Sequence, residues 1–210
     1  PRWVGPAPAF ALLMLGWCGV VFSDQIEVVR RPGEPEGFVE RITTAALDRT
    51  SHAIRYDGSY HSMRYPGGDV PADVGVCTDL LIRSYRMLGI DLQKEVHEDM
   101  RAAFFVYPQR WGLTAPDSNI DHRRVPNLEV FFGRAGDELP ITDDPGDYQP
   151  GDVVSWMVGP LPHIGIVVPL RSDDGERFQV VHNIGRGPEV EDILFDYPIV
   201  GHFRYYGPSG

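Results

Sequence analysis

Cysteine is scarce in this 210-residue chain: only Cys18 and Cys77 are present. Basic charge is short too, with 19 Lys and Arg against 30 Asp and Glu and a formal net charge of −11. A chain this acidic lacks the basic footprint that phosphate binding needs, which excludes a nucleic-acid role. Long hydrophobic runs are also missing. The apolar stretch at residues 9–22 has 14 residues, whereas a membrane span needs roughly 20. It fits the apolar region of a secretory signal, with Val21 and Ser23 in place for a cut before Asp24. Export is therefore expected. A retained N-terminal anchor is the alternative, and membrane contact is expected only through that segment if it stays uncleaved. After the cut only Cys77 remains, so no internal disulfide can form.

The length suits one domain, large enough to bury a core without staples. Residues 1–23 read as signal or anchor and 24–37 as a Pro/Gly/Glu linker. Residues 38–210 read as a single domain carrying an inserted segment at about 93–149. There is no internal repeat and no low-complexity segment. Phe38, Ile42, Ala45 and Ala46 have helical spacing, which predicts a helix over 38–54. A second is expected over 77–88, with Leu80, Leu81, Ser84 and Leu88 on one face and Gly89 as its stop. Residues 97–105 read as helix and 127–134 as a short strand or helix. From Pro150 the pattern turns to period two, and strands are expected at 153–158, 163–168, 178–183 and 201–206. Helices followed by an antiparallel sheet make an α+β fold.

Cys77 stands where loop gives way to helix. There its sulfur would meet unpaired backbone N–H groups and the positive end of the helix dipole, a setting that lowers a thiol pKa. A cysteine kept only for packing belongs on the apolar stripe with Leu80, Leu81 and Leu88. His163 opens a strand, and Gly165, on the same face, leaves room for another backbone such as the helix to approach. That approach would pair thiol with imidazole, as activation of a nucleophile by a base requires. The imidazole also needs an orienting partner. His182 and Asn183 are the candidates, on opposite faces of the next strand, and a one-residue register slip exchanges them. His182 is favoured because it shares its face with Val180 and Phe178. The Cys77 backbone N–H and the Tyr65 phenol are the candidate oxyanion donors.

These residues match a known pattern. Tyr65-Pro66-Gly67-Gly68, Val76-Cys77-Thr78-Asp79-Leu80, Gly151-Asp152-Val153-Val154, His163-Ile164-Gly165-Ile166-Val167 and Val181-His182 resemble, in order, the motifs of NlpC-type peptidoglycan hydrolases. More closely, residues 56–206 resemble the domain-of-unknown-function family 1287 of bacterial exported proteins. That likeness is carried by Gly68-Asp69-Val70-Pro71-Ala72-Asp73, Val96-His97-Glu98-Asp99-Met100, the run from Asn119 to Asn127, and His182-Asn183-Ile184-Gly185. The wider resemblance implies a papain-like fold in a periplasmic or cell-envelope protein that cleaves amide bonds in wall peptide stems. It implies Cys77 as nucleophile, His163 as base, His182 as orienter and Tyr65 at the oxyanion site, with no cofactor. Two departures stand out: relatives carry Asp-Cys-Ser where this chain has Val76-Cys77-Thr78, and the segment between catalytic helix and sheet is longer.

The inserted segment offers substrate-binding candidates in His122, Arg123 and Arg124, with Asp79 on the helix. Two adjacent arginines could clamp a peptide carboxylate; a solvated, salt-bridged loop is the plainer reading. Two rival functions remain. One is a non-catalytic wall-binding or scaffold domain with the same fold. The other is a metal site built from His163, His182 and one of Asp69, Asp73 or Asp152, although zinc needs three or four converging ligands and the spacing forces none.

Overall fold

The computed structural model describes Arg31 and residues 33–208. The apolar run at 9–22, the expected cut before Asp24 and most of the linker lie outside those residues. No helix among the described residues is long and apolar enough to cross a membrane.

Helix α1 (Phe38–Arg49) buries Phe38, Ile42, Ala45 and Ala46 along one stripe. It stops five residues before the predicted end. The hydroxyls of Thr50 and Ser51 donate to the carbonyls of Leu47 and Asp48 at 2.8 and 2.7 Å, so side chains satisfy the carbonyls that a further turn would have used. Two short strands follow, β1 (Arg55–Tyr56) and β2 (Val74–Gly75), paired in parallel with Tyr56 opposite Gly75. Helix α2 (Cys77–Met87) begins two residues later. It ends before Gly89, whose φ of +83° suits only glycine at low cost. The inserted segment contains α3 (Leu92–Ala103) and α4 (Val125–Ala135), the latter started by a proline in its first turn.

A six-stranded sheet follows: β3 (Asp137–Glu138), β4 (Val153–Val158), β5 (Leu161–Arg171), β6 (Phe178–His182), β7 (Glu189–Glu191) and β8 (Ile199–Arg204). Its order is β3-β8-β4-β5-β6-β7, and every pair is antiparallel. The fold is α+β. The helices cover one sheet face, where Leu81, Tyr85, Leu128, Phe132, Ile164 and Ile166 are buried together. Tyr148, Val154, Trp156, Val167, Val180 and Leu194 form a second core on the other face. β3 and β7 escaped the sequence reading because both are very short and carry Glu or Asp at most positions, with no apolar alternation to detect.

Candidate active site

Cys77 is the first residue of α2, and Val76 before it is extended. Asp79, two residues into the helix, accepts from the Val76 N–H at 2.8 Å and so closes the helix start. The thiol is almost wholly buried, in the helix-side core beside Ile164. The backbone N–H groups of Ile164, Thr78 and Cys77 itself face the sulfur and favour its ionised form, but burial outweighs them and pushes the thiol up to about 12. The sequence reading had expected a lowered thiol. Helix dipoles act locally, whereas desolvation depends on everything packed around the group. The Tyr56 phenol lies near enough to the thiol to be pushed up to about 12, by burial and then by Cys77. The pairing of Tyr56 with Gly75, two residues before Cys77, brings that phenol to the sulfur.

His163 lies opposite Trp156 on β4, their rings 6.0 Å apart, which puts its side chain on the face away from the helices. β6 pairs with β5 so that His182 lies opposite Gly165. That register gives His182 and His163 the same face, and His163 Nε2 meets His182 Nδ1 at 3.0 Å. A Cβ on Gly165 would come within 2.7 Å of Val180 Cγ1 and 2.9 Å of the Val181 carbonyl. The room left by Gly165 is therefore taken by β6 rather than by the helix, correcting the sequence reading. His182 Nε2 in turn meets Glu191 Oε2 at 2.9 Å, and Arg186 holds the other carboxylate oxygen at 3.1 Å. Burial, then the charge of His182, pushes His163 down to about 3. Burial also lowers His182, against the pull of Glu191. Sulfur and imidazole thus approach the start of β5 from its two faces, both neutral, and no hydrogen bond joins them. β6 ends opposite Gly165, and the Ile164 N–H just beyond that end is the one that faces the sulfur.

Other expected site residues are elsewhere. Tyr65 packs edge-on against His97 with ring centroids 4.8 Å apart, among the charged side chains of α3, so the tyrosine at the thiol is Tyr56. Asn183 accepts from the Gly185 N–H at 3.2 Å and builds the turn after β6. Arg123 is buried, bonded to both Asp79 oxygens at 2.8 and 2.9 Å and to the carbonyls of Ser59 and Asp57. Neither Arg123 nor Asp79 is free to hold a substrate carboxylate; together they pin the inserted segment to the start of α2. Arg124 pairs with Asp121 at 3.1 Å and lies 4.0 Å over the Trp111 ring. His122 is buried and pushed down to about 3, first by burial and then by Arg123. The metal alternative is not assembled either. Asp69 pairs with Arg83 and Arg86, Asp73 is exposed, and Asp152 is held by Arg31, His202 and Arg204. Among the described residues no group of three or more His, Cys, Asp or Glu side chains is arranged to hold a metal ion.

The residues that sequence reasoning missed are Tyr56 and Glu191. Tyr56 could have been found only through its two-residue parallel bridge to Gly75. Glu191 lies on a three-residue strand after a Gly-rich turn and reaches His182 diagonally across the pair.

Comparison with known proteins finds a sequence relative and distant structural neighbours. Escherichia coli (strain K12) has an "Uncharacterized protein YijF" that is 49% identical over 166 residues, covering 79% of this chain and 80% of that protein. The structure of NlpC1 from Trichomonas vaginalis aligns with a TM-score of 0.43 and 16% identity, covering 80% of this chain. This chain spans 44% of the length of that one. The family described as "Domain of unknown function (DUF1287)" matches residues 43–205, which is most of the molecule, and the chain belongs to that family.

Proposed function

We propose that this protein is a papain-like cysteine hydrolase of the bacterial cell envelope that cleaves amide bonds in wall peptide stems through a thioester on Cys77. The observation that carries the reading is the ordered pair of imidazoles, His163 Nε2 to His182 Nδ1 at 3.0 Å, set at the strand opening where the Ile164 N–H faces a helix-start sulfur. A lone helix-start thiol on the other face of the same strand opening is the nucleophile of this reading, which is acyl transfer. The resemblance of the Cys77, His163 and His182 segments to NlpC-type motifs supports the same chemistry and supplies the substrate class.

With a thiol near 12 and an imidazole near 3, the resting pair is not an ion pair. In this reading His163 is the general base and must reach the sulfur around the open end of β5 as the sulfur attacks the amide carbonyl, so that deprotonation accompanies C–S bond formation. The Cys77 backbone N–H and the Tyr56 phenol donate to the developing oxyanion. His163 then passes its proton to the leaving amine. Water, activated by the same imidazole, hydrolyses the thioester and frees the thiol.

A second reading, a wall-binding domain that keeps the fold without the chemistry, is favoured by the missing sulfur–imidazole hydrogen bond and the raised thiol. Mass spectrometry of digests of purified sacculi separates the two. The hydrolase reading expects new peptide fragments with the wild type and none with Cys77→Ala. Binding to sacculi without release of any fragment would establish the second reading.

A further inference from the structure

The hydrogen-bonded chain at the site does not end at the second imidazole. His182 is fully buried, and among the described residues the charged atom bonded to it is Glu191 Oε2 at 2.9 Å. The other oxygen, Oε1, accepts from Arg186 at 3.1 Å, and Arg186 also reaches Glu189 at 3.2 Å. A carboxylate engaged in this way by a guanidinium is an acceptor only. Facing it, a neutral His182 must carry its proton on Nε2, which leaves Nδ1 with a lone pair. His163 Nε2 meets that lone pair at 3.0 Å and must therefore hold the proton of their shared bond. The order of protons is thereby fixed along the whole chain, and the nitrogen left bare on His163 is Nδ1.

We infer that Glu191 is a positioning residue of this site: through His182 it sets the tautomer of His163, so that the base presents an unprotonated Nδ1, and it stabilises the imidazolium that forms during turnover. The inference rests on the hydrolase reading for its catalytic consequence, whereas the tautomer assignment needs only the hydrogen-bond geometry and a His182 kept neutral by its burial. Glu191 does not touch a reacting atom. It acts two hydrogen bonds away, as a carboxylate behind a base does when it selects a tautomer. Its placement follows from register. Glu189 pairs with His182 and Glu191 with Val180, so the Glu191 side chain crosses the ladder diagonally to reach the imidazole. The titratable and charged groups facing His182 are the neutral His163 from β5, Glu189 and Glu191 from β7, and Arg186 from the turn between β6 and β7.

The test reads the ring nitrogens directly and does not need turnover. Long-range proton–nitrogen NMR spectra of the Cys77→Ala protein should show His163 and His182 both as Nε2–H tautomers. In Cys77→Ala/Glu191→Ala the His163 signals should move toward a mixture of tautomers. A wild-type-like pattern after loss of Glu191, or an Nδ1–H His163 before it, would overturn the assignment. Kinetics then separate positioning from mere support. Glu191→Gln keeps the shape and removes the charge. It should lower kcat by about tenfold or more and move the acidic limb of the kcat/KM profile to lower pH, because an imidazolium without the carboxylate gives up its proton more readily. A fall in activity that tracks melting temperature, with the limb unmoved, would mean that Glu191 only supports the fold. Because the NMR shifts are read without turnover, they hold or fail independently of whether sacculi are cleaved.

Discussion

Replacing Arg123 by Met distinguishes a buried strut from a substrate clamp. In the structure Arg123 makes four hydrogen bonds, two to Asp79 and one each to the carbonyls of Ser59 and Asp57. Both members of the pair are almost completely excluded from solvent. Met keeps most of the volume but leaves the Asp79 carboxylate buried with the Val76 N–H as its remaining partner. Breaking a buried pair from one side costs about 3–5 kcal/mol, a large share of the roughly 5–15 kcal/mol that holds a domain together. Removing both charges, as in Asp79→Leu/Arg123→Met, should cost less than Arg123→Met alone, because no uncompensated charge is left behind. Urea denaturation followed by tryptophan fluorescence measures each loss. A loss below about 1 kcal/mol for Arg123→Met, together with a raised KM on wall peptides, would refute the strut and restore the clamp.

Two further expectations follow from the packing and the charges. Gly165→Ala should destabilise the protein by about 1–3 kcal/mol and slow any sacculus cleavage, because the new methyl collides with Val180 and the Val181 carbonyl and pushes β6, with His182, away from His163; urea midpoints and cleavage rates check both. His122 and His163 are held neutral in the fold, each down at about 3 from an ordinary 6.5. Their folded pKa values are depressed, so the unfolded chain takes up protons first. Stability should be full above about pH 6.5 and fall between 6.5 and 3, by up to about 1.4 kcal/mol per pH unit for each histidine. Asp152 adds to this at lower pH. Burial alone would raise it, but hydrogen bonds from His202 and Arg204 and the charge of Arg31 win and hold it below the usual carboxylate range. His122→Leu should flatten the slope, and a profile unchanged by that substitution would contradict the assignment.

The local parts of the site were legible in the sequence. A cysteine at a loop-to-helix boundary, a histidine opening a strand, and a choice between His182 and Asn183 all follow from periodicity and turn residues, and the structure places Cys77 first in α2 and bonds His182, not Asn183, to His163. What escaped depends on long-range pairing. Asp79 and Arg123 are 44 positions apart in the chain, and nothing local marks the two arginines of the insert as bound rather than free. Tyr65 and Tyr56 look alike in a loop rich in Gly, Pro and Tyr, and only the bridge of Tyr56 to Gly75 decides which phenol reaches the sulfur. The ionisation of the thiol escaped for the same reason, since its setting is fixed by neighbours from β5 and the core as much as by its own helix.

The central claim is that Cys77 and His163 act as one unit although they reach the opening of β5 from opposite faces. Acid-quench peptide mapping of Cys77 after brief exposure to wall stem peptides, in the wild type beside His163→Ala, measures this directly. The account predicts an acyl adduct on Cys77 in the wild type and a fall of about a hundredfold or more in its rate of formation without His163. Equal acylation in both proteins, or none in either, would contradict it.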